Sequence, residues 1–299
     1  MKQLCLLGAL CGIFILTSTN SWAQRNPEKK DSIAQKKSHW IVGTSYQSND
    51  VYLGRKDSVS VPYFTPSIGY HDKSGLFLTG SFSYLPKAGE SRIDVVTIEG
   101  GYSYTSDDLS AELSLAKDFY NDQSYAVSAE IKGRISARVS YDLGFIEPSV
   151  DLGAIFADKP DVVMGFGLEH SFSFFKEKLE IDPTFRVNAG SQNYYSNYYS
   201  KRRYSSKRNT AKGNNTASIT ASLANASRFA VMDYEWELSV EYKLNKRIKL
   251  SFTPTLAIPV NPSTVTIVTK SPGNSITSQI YTESLSSTYY FALGFSYAL

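Results

Sequence analysis

Cysteine is nearly missing from this 299-residue chain: its two copies, Cys5 and Cys11, lie in the first eleven positions. Beyond them there is no thiol, which excludes disulfides, Cys-ligated zinc and Cys nucleophiles. Histidine is scarce too. His39, His71 and His170 are the three copies, too few and too scattered for a conventional zinc site, so neither metal nor cofactor is expected. Charge of one sign is not in excess: 31 Lys and Arg against 28 Asp and Glu leave a formal +3, which gives no reason to expect a nucleic-acid partner. After the first residues no long apolar run recurs. The longest uncharged stretch, Ser251 to Thr269, is broken by Pro254, Pro259 and Pro262, whereas a spanning helix needs about 20 consecutive apolar residues. Glycine pairs such as Gly100-Gly101 and Gly165-Phe166-Gly167 precede no helical pattern and are not phosphate loops.

What is present is a start signal, an excess of tyrosine and a persistent alternation. Residues 1–23 read as a secretory signal peptide, with Lys2, an apolar run from Leu4 to Leu16, and small residues at Ser21 and Ala23 around the cleavage position. Residues 24–38, polar and without period, read as a flexible periplasmic leader. An exported chain without cysteine suits a bacterial envelope. From 39 to 299 period-two segments follow one another: 39–52, 60–71, 74–86, 92–106, 109–119, 125–141, 145–157, 161–175, 178–195, 229–244, 247–262 and 285–299. The pattern predicts an all-β antiparallel barrel of about twelve strands, with ten to fourteen compatible.

Loop lengths decide which face is inside. Short polar turns such as Asp142-Leu143-Gly144 and Leu244-Asn245-Lys246-Arg247 alternate with variable connections, the longest near 196–228 and 263–284. Short turns on one side and long loops on the other are a membrane-barrel trait that a soluble sandwich has no reason to show. The apolar faces then meet lipid, the charged faces meet the lumen, and many of the 21 Tyr become interfacial girdles. In the last segment Tyr289, Phe291, Leu293, Phe295, Tyr297 and Leu299 occupy every second position. This resembles the C-terminal insertion signal of Gram-negative outer-membrane β-barrel proteins, although the last residue is Leu299 rather than an aromatic. The resemblance implies an outer-membrane location with periplasmic termini. It also implies outer-membrane lipid and lipopolysaccharide as surroundings and the barrel-assembly machinery as insertion partner.

Two groups of residues are candidates for function. In the lumen, the 125–141 segment offers Glu130, Lys132, Arg134 and Arg138 beside Glu112, Asp118, Glu147 and Asp151 of its neighbours, and the 229–244 segment offers Asp233, Glu235, Glu237 and Glu241. The mixed set is either a salt-bridged ladder or a charged constriction that selects small solutes; the acidic segment would favour cations. In the 196–228 loop, Lys201, Arg202, Arg203 and Arg208 stand with Tyr198, Tyr199 and Tyr204 and with no acid. Such a loop either is solvated or binds lipopolysaccharide phosphates or glycan rings. Alternation at 217–223 and 265–267 predicts that these loops rise as a hairpin continuing the wall. An enzyme is not expected: in Glu169-His170-Ser171 the alternation sends His170 to the face opposite its neighbours. The reading is therefore porin-like passage of small solutes or ions. The alternatives are a non-conducting surface barrel whose loops serve adhesion, envelope integrity or partner binding, and a lipid-modifying barrel enzyme.

Overall fold

The structure, a computed structural model, describes residues 37–204, 218–270 and 275–299. The expected signal peptide and nearly all of the expected leader, together with Arg208, lie outside the described residues. Twelve strands form the wall: β1 (His39–Gln47), β2 (Tyr63–His71), β3 (Leu76–Leu85), β4 (Arg92–Thr105), β5 (Leu109–Tyr120), β6 (Gly133–Tyr141), β7 (Glu147–Phe156), β8 (Asp161–Glu169), β10 (Leu179–Gly190), β12 (Ala230–Lys243), β13 (Ile248–Pro259) and β16 (Thr288–Ala298). Each pairs antiparallel with the next, and β16 returns to β1 from Ile41↔Ala298 to Gln47↔Ala292, which closes the barrel. A three-residue strand, β9 (Phe172–Phe174), adds to β10 at one rim.

Alternation sorts the faces as the composition demands. On β5, Leu113, Leu115 and Phe119 are 52–59% exposed on the outside, while Ser114 and Asp118 are 4% and 6% exposed within. A belt of exposed Leu, Ile, Val and Phe runs over β2 to β8 and β16. That is far more apolar surface than a water-facing protein carries, and it suits hydrocarbon. Closure leaves no wall edge with unpaired amides.

The connections fall into a turn end and a loop end. At the turn end short side chains hold the backbone: Asp142 Oδ1 accepts from Gly144 N at 2.8 Å, and Asn245 Oδ1 accepts from Arg247 N and Ile248 N at 2.8 and 3.0 Å. Gly75, at φ 100°, is required because a Cβ there would lie 2.3 Å from the Ser103 carbonyl oxygen. The turn between β9 and β10 does without glycine: Phe175, Lys176 and Glu177 have φ of 53°, 59° and 63°. The left-handed region costs about 1 kcal/mol or more for a residue with a side chain. Glu177→Gly is therefore expected to raise stability by about 0.5–1 kcal/mol, read as a higher urea midpoint in detergent micelles; an unchanged midpoint would mean that the turn is unstrained.

The loop end differs from the sequence-based expectation in three places, and all three build one structure. Residues 125–132 do not extend β6. They turn, with Ala129 N donating to Ala126 O and Ile131 N to Ser128 O, and Val127, Ala129 and Ile131 are buried instead of facing outward. The segment expected to remain strand until 195 stops at Gly190 and becomes helix α1 (Asn193–Tyr198), continued by a π-helical turn (Tyr199–Arg203). The expected hairpin is a separate three-stranded sheet of β11 (Ser218–Leu223), β14 (Thr264–Lys270) and β15 (Ile276–Thr282), not a continuation of the wall. Val127, Ile131, Ile155, Leu223 and Val265 pack around Tyr52, Tyr194, Tyr195, Tyr198 and Tyr199 in one buried cluster. The apolar core of this molecule is thus a cap at the loop end.

Candidate functional site

Charge inside the barrel is distributed by strand. β16, β1, β2 and β3 are consecutive in the wall and contain no Asp, Glu, Lys or Arg. Opposed to this neutral arc, the inward faces of β4, β5, β7, β8, β10 and β12 carry Glu99, Glu112, Asp118, Glu147, Asp151, Glu169, Glu180, Asp182, Asp233, Glu235, Glu237 and Glu241. Their cations are Arg134, Arg138, Arg186, Lys243 and Lys249. Carboxylates outnumber cations, so the interior field is negative.

Register explains how these charges meet. Reading across the strands, Glu112, Arg138, Asp151, Gly165, Asn188 and Asp233 form one continuous row. Arg134 Nη1 donates to Asp118 Oδ2 at 2.6 Å, and Thr97 Oγ1 donates to Asp118 Oδ1 at 2.8 Å. Arg186 Nη1 donates to Asp151 Oδ2 at 2.8 Å while Arg138 Nη1 lies 3.6 Å from Asp151 Oδ1, so one carboxylate serves two guanidinium groups. Arg186 reaches past β8 because Gly165 lies between: a Cβ there would sit 3.2 Å from Asp151 Oδ2. Nearer the turn end Lys243 Nζ bonds Glu180 Oε1 at 2.8 Å and Lys249 Nζ faces Glu241 Oε1 at 3.5 Å. Of the lumen candidates, the structure places Arg134, Arg138, Asp233, Glu235, Glu237 and Glu241 on inward faces. Glu130 and Lys132 are a correction: they belong to the 121–132 loop, because the chain there is folded into turns.

Burial along the inward faces is graded. On β10 Glu180 and Asp182 are half-buried whereas Thr184, Arg186 and Asn188 are buried; on β12 Glu241 is half-buried whereas Glu237, Glu235 and Asp233 are buried. Water reaches these strands from the turn end and is shut out near the cap. At the inner limit Asp233 and Glu235 are 0% and 2% exposed, and neither oxygen of Asp233 nor Oε1 of Glu235 has a well-formed hydrogen bond. Nη1 of the buried Arg55 and Oη of Tyr194 also lack one. Burying such groups unsatisfied costs about 1–3 kcal/mol each.

The cap is tied together by polar groups from distant loops. Asp161, at the end of β8, accepts from Asn193 N and Tyr194 N at 2.8 Å each and from Ser191 Oγ at 2.5 Å, which caps the first turn of α1. Tyr198 Oη donates to Asp57, and Tyr195 Oη donates to Glu283. Arg55 Nη2 donates to the carbonyls of Val260 and Asn261 at 3.1 and 3.2 Å, and its Nε lies 3.8 Å from Glu283. Burial pushes the Tyr195 and Tyr199 phenols above their ordinary range, so both stay neutral, Tyr195 donating to Glu283 and Tyr199 accepting from Arg203.

Asp50, in the 48–62 loop, is buried, and its carboxyl is pushed up to about 7 by that burial and by the nearby Asp94 and Asp57. The folded loop therefore holds this proton more tightly than the unfolded chain does. Its stabilising effect is full below the ordinary aspartate value of 3.8 and is lost as pH rises to about 7. Hydrogen exchange of residues 48–62, corrected for intrinsic rates, is expected to show more protection at about pH 5 than at about pH 8. Asp50→Asn should remove most of that difference; equal protection in the wild type would contradict it.

Among the described residues of the basic, aromatic loop, Lys201 and Arg202 are paired within the protein. The acids come from other loops: Lys201 Nζ bonds Asp158 and lies 3.4 Å from Glu130, Arg202 Nε bonds Glu130 Oε1 at 2.6 Å, and Lys132 Nζ bonds Asp158 Oδ1 at 2.8 Å. Lys132 and Lys201 together hold the Asp158 carboxyl down to about 2. Tyr198 and Tyr199 are buried, Arg203 lies over the Tyr199 ring at 5.1 Å, and Tyr204 Oη is 3.2 Å from Tyr281 Oη. Nothing in the local sequence announces the pairs Lys201–Asp158, Arg202–Glu130 and Tyr204–Tyr281, whose partners are 43 to 77 positions apart. His170 sits just beyond β8, edge-on to Phe172 with 4.3 Å between ring centroids, and its Nδ1 is 2.5 Å from the Phe145 carbonyl oxygen.

No family model matches the chain, and no curated protein matches it. Among solved structures, the chain is similar to the NanC porin (TM-score 0.46, 10% identity, 87% of this chain and 100% of that one) and the KdgM porin (0.44, 9%, 87% and 99%). It is likewise similar to LpxR from Salmonella typhimurium (0.42, 11%, 86% and 99%). At these identities the similarity speaks only to architecture.

Proposed function

We propose that this barrel resides in the outer membrane of a Gram-negative bacterium and passes small cationic solutes through its lumen. The location is supported by the closed wall of twelve strands and the apolar belt, to which β16 contributes. The solute class is supported above all by the strand-by-strand excess of carboxylates facing a wall arc without charge. Glu241 on β12, with Glu180 and Asp182 on β10, lines the part of the lumen that water reaches, and Glu237 is the next inward carboxylate on β12. A row of carboxylates there raises local cation concentration and opposes anions. Arg134, Arg138 and Arg186 are engaged by Asp118 and Asp151, and Lys243 and Lys249 pair with Glu180 and Glu241, so the field rests on the carboxylates in excess of these pairs.

The test is conductance in planar bilayers. Discrete steps that favour cations are expected, with a smaller cation preference in Glu237→Gln and Glu241→Gln. Silence from the wild type and from Tyr198→Phe alike would remove the channel reading.

A non-conducting surface barrel is favoured by one observation. β15 is an edge strand among the described residues, all seven of its residues are exposed, and none is charged; Ile276 and Ile280 are 65% and 70% exposed. Such an edge suits pairing with an extended segment of a partner.

A further inference from the structure

The cap is held at the loop end by the buried tyrosine cluster and by reversible polar contacts. α1 and its π turn are held down by two tyrosine hydroxyls on two carboxylates, Tyr198 on Asp57 and Tyr195 on Glu283, with Arg55 bridging toward Glu283 and the 260–261 backbone. Asp57 comes from the first long loop and Glu283 from the last, so these two bonds tie three loops that are remote in sequence. No covalent link fixes them, because the chain has no cysteine after Cys11.

Beneath the cap the closed state leaves groups unsatisfied that water would satisfy. Asp233, Glu235, Arg55 and Tyr194 are all buried with polar atoms lacking a hydrogen bond. In an open lumen each would be hydrated. Closure gains the tyrosine cluster and the latch and loses this hydration, so the two states oppose each other through different groups, as a bistable element requires. The gradient of burial on β10 and β12 points the same way, since the luminal side chains of these two strands are half-accessible toward the turn end and buried toward α1.

We infer that the cap is a gate: α1 and its π turn form the lid, and Tyr198 with Asp57 and Tyr195 with Glu283 form the latch. Releasing the latch lifts the lid, admits water to Asp233 and Glu235, and joins the accessible half of the lumen to the outside. The role of the gate rests on the channel reading, but its opening can be read without conductance.

The chain downstream of residue 11 contains no thiol, so Ala257→Cys supplies a single reporter. Ala257 is fully buried on the inward face, packed with Val51 and Tyr290 below the loops and opposite Glu235. Full-length protein displayed on intact cells is treated with a membrane-impermeant quaternary-ammonium thiosulfonate. With the latch intact, labelling is expected to be slow. Adding Tyr198→Phe or Asp57→Asn should accelerate it about tenfold or more, as loss of a hydrogen bond to a charged group allows. Tyr195→Phe is the second, independent latch variant, and a gel mobility that shifts on boiling checks that each barrel has formed. Equal rates in all barrels, or fast labelling with the latch intact, would overturn the gate. Faster labelling in latch variants that conduct no ions would support the lid and refute the channel.

Discussion

Arg134→Met is expected to cost the barrel about 3–5 kcal/mol, because it strands a carboxylate where water does not reach. Asp118 is 6% exposed and Arg134 4%, with Nη1 to Oδ2 at 2.6 Å and Nη2 to Oδ1 at 3.4 Å. Thr97 Oγ1 would remain as the bonded neighbour of Asp118, a neutral donor that cannot balance the charge. Asp118→Leu alone should cost a similar amount by leaving the guanidinium buried. The double replacement, Asp118→Leu with Arg134→Met, should recover a large part of the loss, since two apolar side chains remove both desolvation penalties. The measurement is the urea midpoint of refolding into micelles. Additive losses would show that the two residues act separately and that the row is not a paired ladder at this point.

Asp161→Ala is expected to release α1 while leaving the wall standing. Its carboxylate accepts from Asn193 N, Tyr194 N and Ser191 Oγ, all on the segment that turns from β10 into the lid. Losing the cap should destabilise the lid by about 2–4 kcal/mol, combining a helix cap with buried donors left unpaired. Hydrogen exchange in 191–204 should rise by about tenfold or more, whereas β5 and β6 amides, remote from this contact, should not change. Asp161→Asn should fall between, since its amide oxygen can still accept. Protection unchanged in Asp161→Ala would mean that the tyrosine cluster alone holds the lid.

Most of the wall was legible because a period of two needs only local residues. β4, β5, β12 and β16 lie within a few residues of their expected limits, and the short turns announce themselves through Asp142, Gly144 and Asn245. The cap was not legible, and the reason is physical. α1 is six residues long, and its cap is Asp161, 32 positions before Asn193. No local start signal exists. Residues 125–132 alternate like a strand although Val127 and Ile131 serve the cluster around Tyr194 and Tyr199, and a turn whose apolar residues are spaced by two looks like a strand on paper. The partners of Lys201 and Arg202 were not legible for a related reason: Asp158 and Glu130 reach them from connections that composition treats separately. The acidic character of β12 was readable, but the uncharged arc of β16, β1, β2 and β3 becomes meaningful only once closure makes those strands neighbours.

The most direct measurement of the central claim is the reversal potential of the Tyr198→Phe barrel in a planar bilayer under a potassium chloride gradient. The expected result is a potential of the sign set by potassium, shrinking toward zero in Glu237→Gln. A potential of the sign set by chloride, or one that Glu237→Gln leaves unchanged, would contradict an acidic lumen that selects cations.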